Sequence, residues 1–87
     1  MVEEDAAVFM RALGKRLRLL RLVRELTQDQ VAEATGMSRS FVSLLEHGAH
    51  GVDVGRLLRL SAFFGVPLPV LLDLGAPVAD LSEGLPS

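Results

Sequence analysis

The chain has 87 residues, of which 49% are hydrophobic and 23% charged, and its formal net charge is −2. A chain of this length allows one domain with one small core. The absence of cysteine excludes disulfide scaffolds, zinc sites with thiolate ligands and cysteine nucleophiles. Because no apolar run is long enough to cross a bilayer and the N-terminus is acidic, without a signal segment, we expect a cytoplasmic protein with no membrane contact.

The first predicted helix runs from about Asp5 to Arg24. Its leucines Leu13, Leu17 and Leu20 fall on one side at spacings of four and three residues, which is the period of a helix with one buried face. The range contains no proline and a single glycine, so nothing in it breaks the helix.

Two short helices follow, separated by one glycine. Thr27, with a glutamine three residues later, has the capping-box pattern and opens a helix at residues 28–35. Gly36 ends that helix, since glycine readily adopts the left-handed conformation of a helix end. Ser38 is the next N-cap candidate and opens a third helix that continues to about residue 46 or 47.

The second half of the chain predicts two more helices. Asp53 caps a fourth helix at about residues 54–64, which ends at Gly65. A fifth helix starts near Pro67, whose fixed φ suits a first turn, and continues through the segment "LPVLLDL".

Together these elements predict an all-α protein, a compact five-helix domain over residues 1–75 with about 6–74 structured. The segment 76–87 combines proline, glycine, serine and acidic residues, so we expect a mobile acidic tail. Residues 6–72 carry nine basic and five acidic side chains, a net charge of +4. This basic middle is compatible with a nucleic-acid partner despite the negative total.

The pair of short helices has the pattern of a tight turn between two steeply crossing helices. Ala32 is the small residue where the helices cross, Gly36 lies in the turn, and Val42 anchors the second helix. The outward side of the third helix then carries residues that the core does not need: Arg39, Ser40, Ser43, Leu44 and His47.

From Leu13 to Leu72 the sequence resembles the helix-turn-helix proteins of the phage-repressor/Cro type, also called the Xre family. The segment "LTQDQVAEATGMSRSFVSLLEHG" is similar to the second and third helices of that family, and "LLRLSAFFGVPLPVLL" to its fourth and fifth. The resemblance implies a λ-repressor-like fold with the helix-turn-helix at residues 28–47. It also implies a sequence-specific transcriptional regulator that binds double-stranded DNA, catalyses no reaction and needs no cofactor.

The resemblance also implies DNA-binding residues, because family members place the third helix in the major groove. The implied base-reading residues are Arg39, Ser40, Ser43 and Leu44. An arginine can donate two hydrogen bonds to guanine, whereas Leu44 offers only van der Waals contact, for instance to a thymine methyl. The candidates for the DNA backbone are Thr27, Gln28, Ser38, Arg16 and His47.

Several of these residues also have a purely structural interpretation. Arg39 can be a solvated residue of a first turn, and Gln28 is a good helix former. The same applies to the arginines of the first helix, which can form its solvated face: Arg16, Arg18 and Arg24. We expect no metal site from two histidines, and no enzyme, since no carboxylate pair is placed for acid–base chemistry.

The resemblance also implies an ion pair between Arg21 and Glu46, which would tie the first helix to the third.

The sequence departs from the family in two places. The segment "HGAHGVD" has no lysine or arginine where relatives often carry a basic loop, so phosphate affinity should be modest. Leu19, Leu22 and Val23 are apolar at positions that are usually charged, which indicates a covered surface.

By analogy with relatives, we expect a homodimer that sets two recognition helices about 34 Å apart on a two-fold symmetric operator. The residues implied for the dimer contact are Phe63, Leu68, Val70, Leu71 and Leu74.

The main alternative to a DNA-binding regulator is a partner-binding or antitoxin-like module that keeps the helix-turn-helix scaffold and binds another protein through Leu19, Leu22 and Val23. That stripe can also be covered by the N-terminal segment "AAVFM" or by the tail. A phage-type repressor, a restriction-modification controller and an antitoxin all fit the pattern.

Overall fold

A computed structural model of the chain describes residues 2–49 and 51–74, and the predicted mobile tail at 76–87 lies outside these ranges. The described residues form five helices and no strand, which confirms the prediction of a compact all-α, five-helix fold. The helices are α1 (Val2–Val23), α2 (Gln28–Thr35), α3 (Arg39–Glu46), α4 (Val54–Phe64) and α5 (Leu68–Leu71). None of them is long and apolar enough to span a membrane.

The first turns of α2 and α3 are capped by local hydrogen bonds, as the sequence predicts. Thr27 Oγ1 accepts from the backbone N–H of Gln30 at 3.1 Å, and Gln30 Oε1 accepts from the backbone N–H of Thr27 at 2.8 Å. Ser38 Oγ accepts from the backbone N–H of Phe41 at 3.0 Å. Gly36 ends α2 with φ +71°, a conformation that favours glycine. The bounds of α2 and α3 therefore follow from their caps.

Two helices differ from the prediction. α1 begins at Val2, earlier than expected, because no helix-breaking residue precedes its first leucines. α5 is a single turn and stops at Leu71, so the prediction of a helix through "LPVLLDL" is wrong in length. The chain tightens after the helix, where the backbone N–H of Asp73 donates to Val70 O, three residues back, at 3.1 Å.

The core lies between α1, α2, α3 and α4 and is closed by α5. Its buried apolar side chains are Leu13, Leu17, Leu20, Val31, Ala32, Val42, Leu45, Leu57, Leu60, Phe64, Val66 and Leu71. Full burial of a valine or leucine stabilises a fold by about 1.5–3 kcal/mol, so Val42 and Leu45 hold the inner side of α3 firmly. α1 approaches α3 closely at Gly14, where an added Cβ would lie 2.6 Å from Glu46 O.

Asp53 caps α4, and its contacts lead us to expect that the stability of the folded protein depends on pH. Its Oδ2 accepts from the backbone N–H of Arg56 at 3.2 Å, and its Oδ1 accepts from Arg56 Nη1 at 2.7 Å. The side-chain bond from Arg56 holds the pKa of Asp53 below its ordinary value of 3.8. A carboxyl group with a lowered folded pKa stabilises the protein above its unfolded pKa and loses that effect as the pH falls through the folded value.

We therefore expect Asp53→Asn to lower the urea midpoint at pH 7 because it removes the charge that Arg56 contacts. The difference from the unmodified protein should shrink as the pH falls below about 4. Urea titrations of both proteins between pH 7 and pH 2 measure this, and a difference that stays constant over the range would contradict the assignment.

Candidate nucleic-acid interface

α3 has one side in the core and one side open to solvent. Val42 and Leu45 are buried, whereas Arg39 is exposed and Leu44 keeps 45% of its surface accessible. A leucine that remains so open contributes little to the stability of the fold. The four residues predicted to read bases lie together with one residue of α2 around a shallow recess of about 460 Å³: Arg39, Ser40, Ser43, Leu44 and Gln28.

Arg39 is held only weakly. Its Nε lies 3.8 Å from Asp29 Oδ1, and the two side chains are 69% and 70% exposed. Exposed pairs of this kind contribute about 0–1 kcal/mol, so the guanidinium of Arg39 can leave Asp29 for another acceptor. Arg39 is the first residue of α3.

A buried ion pair joins α3 to the rest of the protein. Arg21 Nε donates to Glu46 Oε2 at 2.7 Å, and Arg21 Nη2 donates to Glu46 Oε1 at 3.0 Å. The third nitrogen of the guanidinium, Arg21 Nη1, donates to Leu26 O at 2.8 Å. The hydrogen bond with Glu46 raises the pKa of Arg21 above its ordinary value. The predicted pair of Arg21 and Glu46 is thus present, and it fixes the end of α3 against α1.

Gln28 is positioned by the same carboxylate. Its Nε2 donates to Glu46 Oε1 at 3.1 Å, so the start of α2 is tied to the end of α3. Gln28 lines the recess of α3 and also a second cleft between α2 and α1. The side chain therefore stands where the two concave surfaces of this side of the molecule meet.

The other residues predicted to bind the DNA backbone differ in their surroundings. Thr27 and Ser38 use their oxygens as cap acceptors, and both are exposed, so each hydroxyl still has a hydrogen to donate. His47 is exposed as well, and its Nδ1 lies 2.7 Å from Ser43 O. Because a carbonyl only accepts, Nδ1 carries the proton in this contact.

Arg16 does not lie at this surface, which corrects two predictions for it. Its side chain is only 5% exposed, and Nη2 donates to Val70 O at 3.1 Å. It lies about 200° around α1 from Gly14, the residue that touches α3, so it faces α5 and not the recess. Burial lowers its pKa, with Asp73 acting in the opposite direction. Arg16 is therefore neither a solvated residue nor placed to contact a DNA backbone.

Arg24 also differs from the prediction that it belongs to the solvated face of the first helix. Its Nη2 donates to Phe64 O at 3.0 Å, and its guanidinium lies 5.3 Å from the centre of the Phe64 ring. Burial lowers its pKa. This arginine joins the C-terminal end of α1 to the end of α4.

The residues predicted for a dimer contact are only partly accessible. Leu71 is 0% exposed, so it belongs to the core of the single chain, which contradicts its predicted role. Val70 is exposed, and the other three are half-buried: Phe63, Leu68 and Leu74. The stripe of Leu19, Leu22 and Val23 is more open, with 42%, 45% and 54% of each residue accessible.

A row of basic residues on α1 also lies at this surface, although the sequence did not single the row out. Arg11, Lys15 and Arg18 are exposed and line a cleft of about 750 Å³ together with Gln28 and His47. The signal was present in their spacing of four and three residues, which puts them on one side of a helix. Within residues 2–49 and 51–74, no three side chains of the types that ligate metals gather to form a metal site.

Comparison with known proteins gives consistent matches. A family model described as a helix-turn-helix domain matches residues 12–74. The restriction-modification controller protein C.AhdI from Aeromonas hydrophila is 31% identical, with a TM-score of 0.68, over 71% of this chain and 94% of that one. The clp gene regulator ClgR from C. glutamicum is 28% identical, with a TM-score of 0.70, over 83% of this chain and 90% of that one. A search of curated proteins found no match.

Proposed function

The chain belongs to the helix-turn-helix family of DNA-binding proteins, and we propose that it is a homodimeric transcriptional regulator that binds a two-fold symmetric operator through α3. The family membership confirms the resemblance found in the sequence. The observation that carries the proposal is the outer side of α3, whose polar and apolar side chains are open while the core and Glu46 hold its inner side. A rigid helix with a free outer row is what readout of a major groove requires.

The proposed contacts divide into base reading and backbone binding. Arg39 donates two hydrogen bonds to a guanine, Ser40 and Ser43 bond to bases or phosphates, and Leu44 packs on a thymine methyl. Four residues around them bind phosphates and set the register of the helix on the duplex: Thr27, Gln28, Ser38 and His47. Regulation follows from occupancy, because a bound dimer blocks or assists polymerase without a catalytic step.

Dimerisation is part of the proposal because a single eight-residue recognition helix reads few base pairs. Two copies related by two-fold symmetry read successive major grooves about 34 Å apart. With Leu71 in the core, the contact is proposed to use the remaining apolar residues of α4, α5 and the segment after it: Phe63, Leu68, Val70 and Leu74. The two solved structures support a regulatory role, since one is named a restriction-modification controller and the other a gene regulator.

The role of Arg39 is tested by Arg39→Ala. Loss of a bidentate contact to guanine should weaken operator binding by about 1–3 kcal/mol per half-site and remove the preference for guanine at one position of each half-site. Fluorescence anisotropy with the operator and with single-base variants measures both effects.

Arg59→Ala is the matched control for this change. It removes the same charge from α4, where Arg59 Nη1 lies 3.5 Å from Thr35 O, and it should leave the base preference unchanged. An Arg39→Ala protein with an unaltered preference at every base position would refute the assignment.

A second candidate function is favoured by the exposed stripe of Leu19, Leu22 and Val23. A stripe of this kind is a candidate docking face for another protein. If the scaffold serves only that interaction, no DNA site is bound specifically and Arg39→Ala has no effect on binding.

A further inference from the structure

We propose that Arg11, Lys15 and Arg18 of α1 form a second phosphate-binding surface, which holds the DNA backbone beside the groove that α3 occupies. This inference rests on the proposed function and adds residues that are not among its base or backbone contacts. We call the three residues the α1 cation row.

The α1 cation row is free to bind an anion. Its three side chains are exposed and lie on one side of α1, at spacings of four and three residues. No hydrogen bond or ion pair of the row occurs in the described part of the chain, at residues 2–49 and 51–74. Like charges at such spacings destabilise a helix by a few tenths of a kcal/mol, so the row contributes nothing favourable to folding by itself.

The row faces the side of the molecule that α3 presents. Its cleft is also lined by Gln28 and His47, and Gln28 lines the recess of the base-reading residues as well. His47 in turn contacts Ser43 O, one turn back in α3. A polyanion that lies along the outer side of α3 therefore reaches the α1 cation row without leaving the surface.

The loop after α3 lacks the cations that could bind phosphates on this side of the groove. Residues 48–53, "GAHGVD", contain no lysine or arginine. The same loop packs against α1, since a Cβ on Gly48 would lie 2.7 Å from Arg11 Cα. α1 thus brings the cation of Arg11 to the edge of a loop that has no lysine or arginine. Charge for the phosphates on this side of the groove comes from α1.

The experiment compares the full chain with the triple variant Arg11→Gln, Lys15→Gln, Arg18→Gln on one operator duplex at several salt concentrations. Each phosphate that a protein neutralises contributes about 0.9 to the slope of log affinity against log salt, so the slope should fall by about 2.7 per bound protomer. Affinity at about 0.15 M salt should fall by roughly 100-fold per bound protomer, because a slope change of about 2.7 acts over nearly one decade of salt below about 1 M. The base preference should stay the same, because phosphate contacts carry no sequence information.

The control is Arg59→Gln, which removes a cation that lies on α4 against Thr35 O and should leave the slope unchanged. An unchanged slope in the triple variant, with normal binding by the unmodified protein, would overturn the inference and leave the proposed function intact. A lower slope together with a changed base preference would also overturn it, since the row would then contact bases. Absence of any DNA binding by the unmodified protein would overturn both, and an acidic protein surface would then be the partner to test.

Discussion

Glu46→Ala is expected to lower the free energy of unfolding by about 3–5 kcal/mol, because it leaves the guanidinium of Arg21 buried without its counter-charge. The carboxylate of Glu46 accepts three hydrogen bonds, two from Arg21 and one from Gln28. The pair has little contact with water, so water cannot replace the lost partner. Urea denaturation with a constant m-value measures the change.

Two further variants show that burial is the cause. Asp29→Ala breaks the exposed contact with Arg39 and should cost no more than about 1 kcal/mol. The double variant Arg21→Met, Glu46→Leu removes both charges and should lose less stability than Glu46→Ala alone. A loss below about 1 kcal/mol for Glu46→Ala, the value typical of an exposed pair, would contradict the structural role of the pair.

Gly14→Ala is expected to lower the free energy of unfolding by about 2 kcal/mol or more, since overpacking outweighs the better helix propensity of alanine. The new Cβ would overlap the carbonyl oxygen of Leu45 and lie 2.6 Å from that of Glu46. Both atoms belong to the backbone of α3, so neither can rotate away. α1 and α3 must separate, and the separation also strains the pair of Arg21 and Glu46.

Urea denaturation again provides the measurement, and Gly51→Ala is the control. A Cβ at Gly51 would meet no atom within 4 Å, so that variant should be close to neutral. A stability gain of about 1 kcal/mol for Gly14→Ala, as in an exposed helix, would show that α1 and α3 are not in the contact described.

The helices that the sequence predicts best are those whose ends are set by local chemistry. Thr27, Ser38 and Asp53 each accept a hydrogen bond from a backbone N–H three residues later, and these bonds depend only on neighbouring residues. Gly36 and Gly65 end α2 and α4 in the left-handed conformation. The bounds of α2, α3 and α4 could therefore be read from residue types alone.

The misplaced residues depend on contacts between distant parts of the chain. Arg16 and Val70 are 54 positions apart, so nothing in the neighbourhood of Arg16 reveals that α5 covers it. Leu71 looks like any leucine of an apolar segment, and only the packing of α5 on the core removes it from the surface. Burial of this kind follows from tertiary structure, which residue spacing along a single helix does not contain.

In the candidate site, too, features set by the local sequence could be predicted and features set by tertiary contacts could not. The outer residues of α3 could be predicted, because the inner positions Val42 and Leu45 fix which side faces away. The spacing of Arg11, Lys15 and Arg18 was also visible, but their nearness to Gln28 and His47 was not. That nearness depends on the close approach of α1 to α3 at Gly14, which is a tertiary contact.

Selection of binding sites from random duplex DNA by the unmodified protein at low salt tests the central claim most directly. The account predicts an enriched inverted repeat whose half-sites are centred about 34 Å apart, the spacing that two copies of α3 require. Failure to enrich any sequence would contradict it, and the stripe of Leu19, Leu22 and Val23 would then be the surface through which the protein acts.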